Sequence, residues 1–230
     1  MKIYVIGDLH LSGSVEKPMG VFGLHWENHH EKIEYHWKAQ VRDEDLVLVP
    51  GDISWAMRLE EAMIDLQWIH QLPGKKVLLR GNHDYWWGSV TKLNHLFQNM
   101  FFLQNNSFQF GDYSICGTRG WLCANPYKFD AQDEKVYNRE LQRLKLSLES
   151  TKGTGKNKII VMTHYPPTND KMEPSGFTEI YEAYGVEKVV YGHLHGSDGF
   201  RGALQGIHKG VQYYLTSCDF LDFKPLRIVE

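Results

Sequence analysis

The chain has 230 residues, 42% of them hydrophobic and 23% charged, and a net charge of −3. That length suits one domain, residues 1–230, with a full core, and the balance supplies no pull toward long nucleic acid or an anionic membrane. No apolar run is long enough for a signal peptide or a membrane span, and Cys116, Cys123 and Cys218 fit neither a disulfide framework nor a zinc–thiolate site, so a cytoplasmic protein is expected.

Lys2–Ile6 reads as the first strand, and Ile33, Trp37 and Val41 carry helical spacing within Trp26–Val41. Between them, Leu11–His30 is an irregular stretch rich in glycine and histidine, a possible lid. Asp45–Pro50 reads as a buried strand. Leu59, Ala62, Met63, Leu66 and Ile69 then share one face of a helix over Arg58–Leu72, which Pro73-Gly74 ends. Lys76–Leu79 and Met100–Leu103 read as strands, and Phe108–Phe110 with Tyr113–Cys116 as a hairpin around Gly111-Asp112. Trp121–Asp133 lacks periodicity and reads as a second lid segment. Tyr137, Leu141, Leu144 and Leu148 mark an amphipathic helix released at Lys152-Gly153-Thr154-Gly155. Strands over Lys158–Thr163 and Lys188–Tyr191 flank a helix from Thr178 to Tyr184, and Val211–Thr216 and Pro225–Val229 close a mixed α/β sandwich.

Five polar clusters stand at the ends of these strands: Asp8-x-His10, Gly51-Asp52, Gly81-Asn82-His83-Asp84, His164, and Gly192-His193-Leu194-His195. Each alone has an ordinary reading as a turn, a cap or a tautomer-fixed histidine. Together they fit a two-metal site that handles phosphate, because α/β folds gather ligands at the carboxyl ends of their strands. Carboxylate, amide and imidazole donors suit divalent manganese, iron, zinc or nickel. Two such ions about 3.5–4 Å apart acidify a bridging water and clamp a phosphoryl group.

The order D-x-H, G-D, G-N-H-D, a later histidine and G-H-x-H resembles the calcineurin-like metallophosphoesterase superfamily, of the bacterial phosphohydrolase type, from Asp8 to His195. The resemblance implies a four-layer α/β sandwich with two mixed β-sheets and its site at the strand C-terminal loops. It also implies two divalent transition-metal ions. Asp8, His10, Asp52 and His195 would hold one, and Asp52, Asn82, His164 and His193 the other, with Asp52 as bridge. His83 would stabilise charge on the phosphate and protonate the leaving oxygen, with Asp84 orienting its ring. A metal-bridging hydroxide would attack a phosphomonoester or phosphodiester. Family members of this pattern include nucleases, and some with eroded ligands serve as scaffolds; the complete ligand set argues against a scaffold.

The expected partner is a small phosphorylated molecule rather than nucleic acid, and nothing in the chain bears on its oligomeric state. Arg119 is a candidate phosphate contact, and His25, His29 and His30 are candidates for the pocket mouth. Trp55, Tyr85, Trp86 and Trp87 read mainly as packing, with a stacking wall as the alternative. Cys218-Asp219 also reads as packing, near the last strand.

Overall fold

The structure, a computed structural model, describes residues 1–125, 129–153, 155 and 158–230. Residues 126–128 of the expected second lid, and Thr154 of the expected helix stop, lie outside the described residues.

In one sheet β1 (Ile3–Val5), β2 (Leu46–Val49), β3 (Lys75–Leu79) and β4 (Met100–Leu103) run parallel, with β11 (Leu226–Val229) antiparallel along β1. The second sheet holds β5 (Phe108–Phe110), β6 (Tyr113–Thr118), β7 (Lys158–Thr163), β8 (Lys188–Tyr191), β9 (Gly206–His208) and β10 (Val211–Leu215), in the order β5-β6-β7-β8-β10-β9. Its four central strands are parallel and its two edges antiparallel. Both sheets are therefore mixed.

Alternation along each strand builds the layers. Leu46 and Leu48 of β2 join Val5, Val77 and Leu103 against Ile160, Met162 and Val190 of the other sheet, forming the core between sheets. Val47 and Val49, on the opposite face, pack against Ile33 and Trp37 of α1 (His29–Gln40) and Leu66 and Ile69 of α2 (Leu59–Gln71). Beyond the second sheet, Leu144 and Leu148 of α4 (Ala131–Glu149) and Phe177 and Tyr181 of α5 (Gly176–Ala183) cover Val161 and Val189. The result is helix, sheet, sheet, helix, as expected. Strands covered on both faces read as unbroken apolar runs, which is why the sequence pattern locates them well.

The differences lie at the helix starts and in short elements. α4 begins inside the expected lid because Asp130 accepts from the amides of Gln132 and Asp133, both at 2.8 Å, while Asp133 returns a bond to the Asp130 amide. α5 begins ahead of Thr178 because Ser175 caps it in the same way. α3 (Val90–Leu93), α6 (Gly196–Arg201) and β9 are too short or too glycine-rich for periodicity to register. The Leu11–His30 stretch contains two single 3-10 turns, Met19–Phe22 and Leu24–Trp26.

The two sheets meet at the carboxyl ends of their strands. Gly7, beyond β1, donates to the Thr216 carbonyl at 2.7 Å and accepts from the Cys218 amide at 3.0 Å. Loops from both sheets are thereby drawn to one rim. Among the described residues no helix is long and apolar enough to cross a membrane.

Candidate metal centre

Every cluster follows a parallel strand at this rim: Asp8 and His10 follow β1, Asp52 β2, Asn82 to Asp84 β3, His164 β7, and His193 and His195 β8. Asp8, His10, Asp52 and His193 all have positive φ, between 45° and 72°. Side chains other than glycine seldom adopt that region, and such strain gathers at functional sites. The motif glycines make room for the neighbouring ligands. A Cβ on Gly81 would stand 2.1 Å from Oδ1 of Asp52, and one on Gly192 would stand 2.1 Å from Oδ2 of Asp8.

Two groups of donors converge: Asp8, His10 and His195, and Asp52, His164 and His193. Within each group one ligating atom per residue lies within 4.8 Å of the others. Asn82 joins the second group, its Oδ1 2.7 Å from Nε2 of His164. The Asp52 carboxylate faces both. Its Oδ1 is 3.4 Å from Nε2 of His164, and its Oδ2 is 3.9 Å from Nε2 of His10.

Tautomers follow from what each ring touches. His164 donates Nδ1–H to the Pro50 carbonyl at 3.1 Å, leaving a lone pair on Nε2. His195 donates Nδ1–H to Oδ1 of Asp219 at 2.9 Å, and its Nε2 faces His10 at 3.3 Å and Asp8 at 3.7 Å. At His164 and Asn82, nitrogen and oxygen lone pairs thus point at one another in a buried space, an arrangement that a cation resolves. The titration behaviour agrees. Burial and the neighbouring carboxylates of Asp8 and Asp84 push the Asp52 carboxyl up to about 9. Burial would raise Asp8 too, but His195, His164 and His10 outweigh it and hold Asp8 low. Burial lowers His164 to about 3 and His193 to about 4, so both rings are neutral and able to ligate. On His195 burial is overridden by Asp219 and Asp8, which raise it to about 10. The donor set fits two divalent cations.

His83 stands at the open side of this group. Its amide donates to Oδ1 of Asp52 at 2.9 Å, its Nε2 is 4.0 Å from Oδ2, and its ring lies 4.4 Å from that of Trp55. Burial is the main influence lowering its pKa, followed by Lys17. Asp84 has a different place from the one expected. Its buried carboxylate accepts from the amides of Ile53, Ser54 and Gly81 and from the Trp86 indole, at 2.7–3.2 Å, and none of these bonds is to the His83 ring. Asp84 ties the Asp52 loop to the Asn82 loop.

The Leu11–His30 stretch borders the site through His25, one of the three histidines expected there, and through Met19, Phe22 and Trp26, which were not. Met19, Phe22, His25 and Trp26 join Trp55 and His83 around a cavity of about 360 Å³ that reaches His10, His195 and Asp219. His29 is a correction: its buried Nε2 is bonded to the Leu9 carbonyl at 2.9 Å, which anchors the loop below Asp8. His30 is another, since it borders a separate hollow with Gly13, Asp65 and Trp68. Arg119 stacks on Trp121, 4.7 Å away, and borders a neighbouring cavity rather than the two donor groups. Leu122, Cys123 and Asn125 of the second expected lid line a further cavity of about 480 Å³ beside His193. Of the four aromatics, Trp86 and Trp87 are core, Tyr85 is exposed, and Trp55 stacks on His10 at 4.9 Å. Asp219, expected only to pack near the last strand, instead accepts from Nδ1 of His195 at 2.9 Å. It follows β10, which lies beside β8 at the same rim.

A family model described as calcineurin-like phosphoesterase matches residues 1–197. Solved structures with a similar fold include a protein of unknown function from Aquifex aeolicus, at 16% identity, 98% of this chain and 95% of that chain covered, and TM-score 0.51. The phosphopantetheinyl hydrolase of Mycobacterium tuberculosis is similar at 14% identity, 92% and 87% coverage, and TM-score 0.54. A Thermus thermophilus protein is similar at 12% identity, 84% and 81% coverage, and TM-score 0.55. No curated protein sequence matches the chain.

Proposed function

Because the chain belongs to the calcineurin-like phosphoesterase family, we propose that it hydrolyses a phosphomonoester or phosphodiester of a small molecule with two divalent metal ions. The observation that carries this reading is the Asp52 carboxylate, turned at once toward His10 and toward His164. One ion would rest on Asp8, His10, Asp52 and His195, and the other on Asp52, Asn82, His164 and His193. When bound, such a pair acidifies water and draws charge from phosphoryl oxygens.

The chain's own groups complete the chemistry. His83, half-exposed and tied through its amide to Asp52, would supply the proton to a departing oxygen at this open side. Asp219 fixes the tautomer of His195, and the Pro50 carbonyl that of His164. Trp26, Trp55 and Met19 give the adjoining cavity an apolar wall, which suits the organic part of a small ester better than a polynucleotide backbone. Manganese, iron, zinc and nickel all suit these donors. A cytoplasmic setting belongs to the same reading, and the buried free thiols of Cys116, Cys123 and Cys218 are compatible with it.

The test is elemental analysis with turnover of mono- and bis-p-nitrophenyl phosphate by the manganese-loaded protein. About two ions per chain, and their loss in Asp52→Ala with activity, is the expected result. An unchanged metal content in Asp52→Ala, or no hydrolysis of either ester by the loaded protein, would overturn the reading. The preferred ester assigns the protein to monoesters or diesters.

A further inference from the structure

Beside the metal centre, where the tips of β3, β4 and β6 approach α4, lies a cavity of about 250 Å³ bordered by Arg80, Arg119, Arg139 and Arg143. Glu140 is the single carboxylate among its walls, and it is fully buried and already satisfied. Oε2 accepts from the Thr118 hydroxyl at 2.6 Å, and Oε1 accepts from Nη1 of Arg143 at 2.8 Å with Nε of Arg139 at 3.5 Å. Glu140 offsets one positive charge of four.

Two arginines are left over. The Nε of Arg119 is buried without a hydrogen-bond partner, a costly state for a cationic donor. Its guanidinium lies over Trp121, which leaves the planar edge for acceptors. Arg80 spends Nε on the Asp84 carbonyl at 3.2 Å, and among the described residues its side chain makes no other hydrogen bond. Burial, with Arg80 and Arg139 nearby, keeps the Arg119 pKa below its ordinary value although Glu140 and Tyr165 oppose it. The cavity holds an excess of forked, partly desolvated donors.

We propose that this cavity is a second binding site, for a phosphate group held apart from the metal centre. Guanidinium pairs match phosphate oxygens in bidentate fashion, and the strand tips are where ligands of this architecture bind. Both surplus arginines are tied to loops of the second donor group, Arg80 by sequence and Arg119, on the loop after β6, by backbone hydrogen bonds. Arg80 leads directly into Gly81-Asn82, and the Arg119 carbonyl accepts from the amides of His164 and Tyr165, both at 3.0 Å. The phosphate is either a second phosphoryl group of the substrate or free inorganic phosphate.

Calorimetry with inorganic phosphate at constant ionic strength tests the site. In the full chain carrying Asp52→Asn, which disables both donor groups, about one phosphate per chain is expected, weakened about tenfold or more when Arg80→Gln or Arg119→Gln is added. No binding in Asp52→Asn, or unchanged affinity in both arginine variants, overturns the proposal and leaves the phosphoesterase reading standing. Should Asp52→Asn fail to fold, the metal-loaded parent is expected to bind two phosphates, and Arg119→Gln one; equal stoichiometry overturns the site. A raised KM of Arg80→Gln for a nucleoside diphosphate but not for p-nitrophenyl phosphate assigns the site to the substrate's own second phosphate. Equal KM values with lost phosphate binding assign it to free phosphate.

Discussion

His195 and Asp219 are joined by a 2.9 Å bond from Nδ1 to Oδ1, and this bond turns Nε2 of His195 toward Asp8 and His10. Removing the carboxylate frees the ring and lowers its basicity. Asp219→Ala is expected to weaken binding of one of the two ions about 10–100-fold while sparing the other. Competition against a chelator measures it, and two unchanged affinities would show that Asp219 is only a packing residue.

Gly192 leaves no room for a side chain, since a Cβ there would fall on Oδ2 of Asp8. That carboxylate also accepts from the His193 amide at 3.0 and 3.1 Å, so it has little freedom to retreat. Gly192→Ala is expected to keep its far-ultraviolet dichroism yet lose the ion of the Asp8 group. Full metal occupancy in a folded Gly192→Ala would contradict the close approach.

For His83 the informative quantity is the leaving group. His83→Ala should retain its metal and lose roughly two to four decades of turnover on an ester of a simple alcohol, as for loss of a general acid. The loss should be much smaller with p-nitrophenyl phosphate, whose phenolate departs without help. Equal losses on both esters would limit His83 to binding or charge stabilisation.

Metal uptake should depend on pH. In the metal-free protein Asp52 is raised to about 9 and His195 to about 10, so both carry protons at neutrality, whereas His164 at about 3 and His193 at about 4 are already bare. Ligation needs the deprotonated groups, so loading near neutral pH releases protons and affinity climbs with pH until these two values are passed. The same sign governs stability. A carboxyl raised above its unfolded value stabilises at low pH and loses that contribution as pH rises through about 9, so the metal-free chain weakens with rising pH across the neutral range and the gain on loading grows. Calorimetry in buffers of different protonation enthalpy reads the proton count, and zero release would contradict the assignment.

Much of this site was legible because its ligands follow buried parallel strands, which read as short unbroken apolar runs closed by Asp52, Asn82 or His164. Asp219 was not, because its meaning depends on β10 lying beside β8, a neighbour relation that local pattern does not carry. His29 misled for a related reason: a histidine opening a helix reads as exposed until the Leu9 carbonyl is seen to need a donor. Trp26 and Met19 sit in 3-10 turns without period, so nothing in the chain told which way they faced. Asp84 was read beside His83 in sequence, whereas its carboxylate bonds run to the Asp52 loop, the Gly81 amide and Trp86.

The left-handed backbones at Asp8, His10, Asp52 and His193 each cost on the order of 1–3 kcal/mol. They persist only while the two sheets hold the rim in register, so the turns behave like a spring latched by the sandwich. A mild core defect such as Ile160→Val is then expected to act at a distance. The expected result is a loosened grip on metal larger than the accompanying fall in melting temperature would explain.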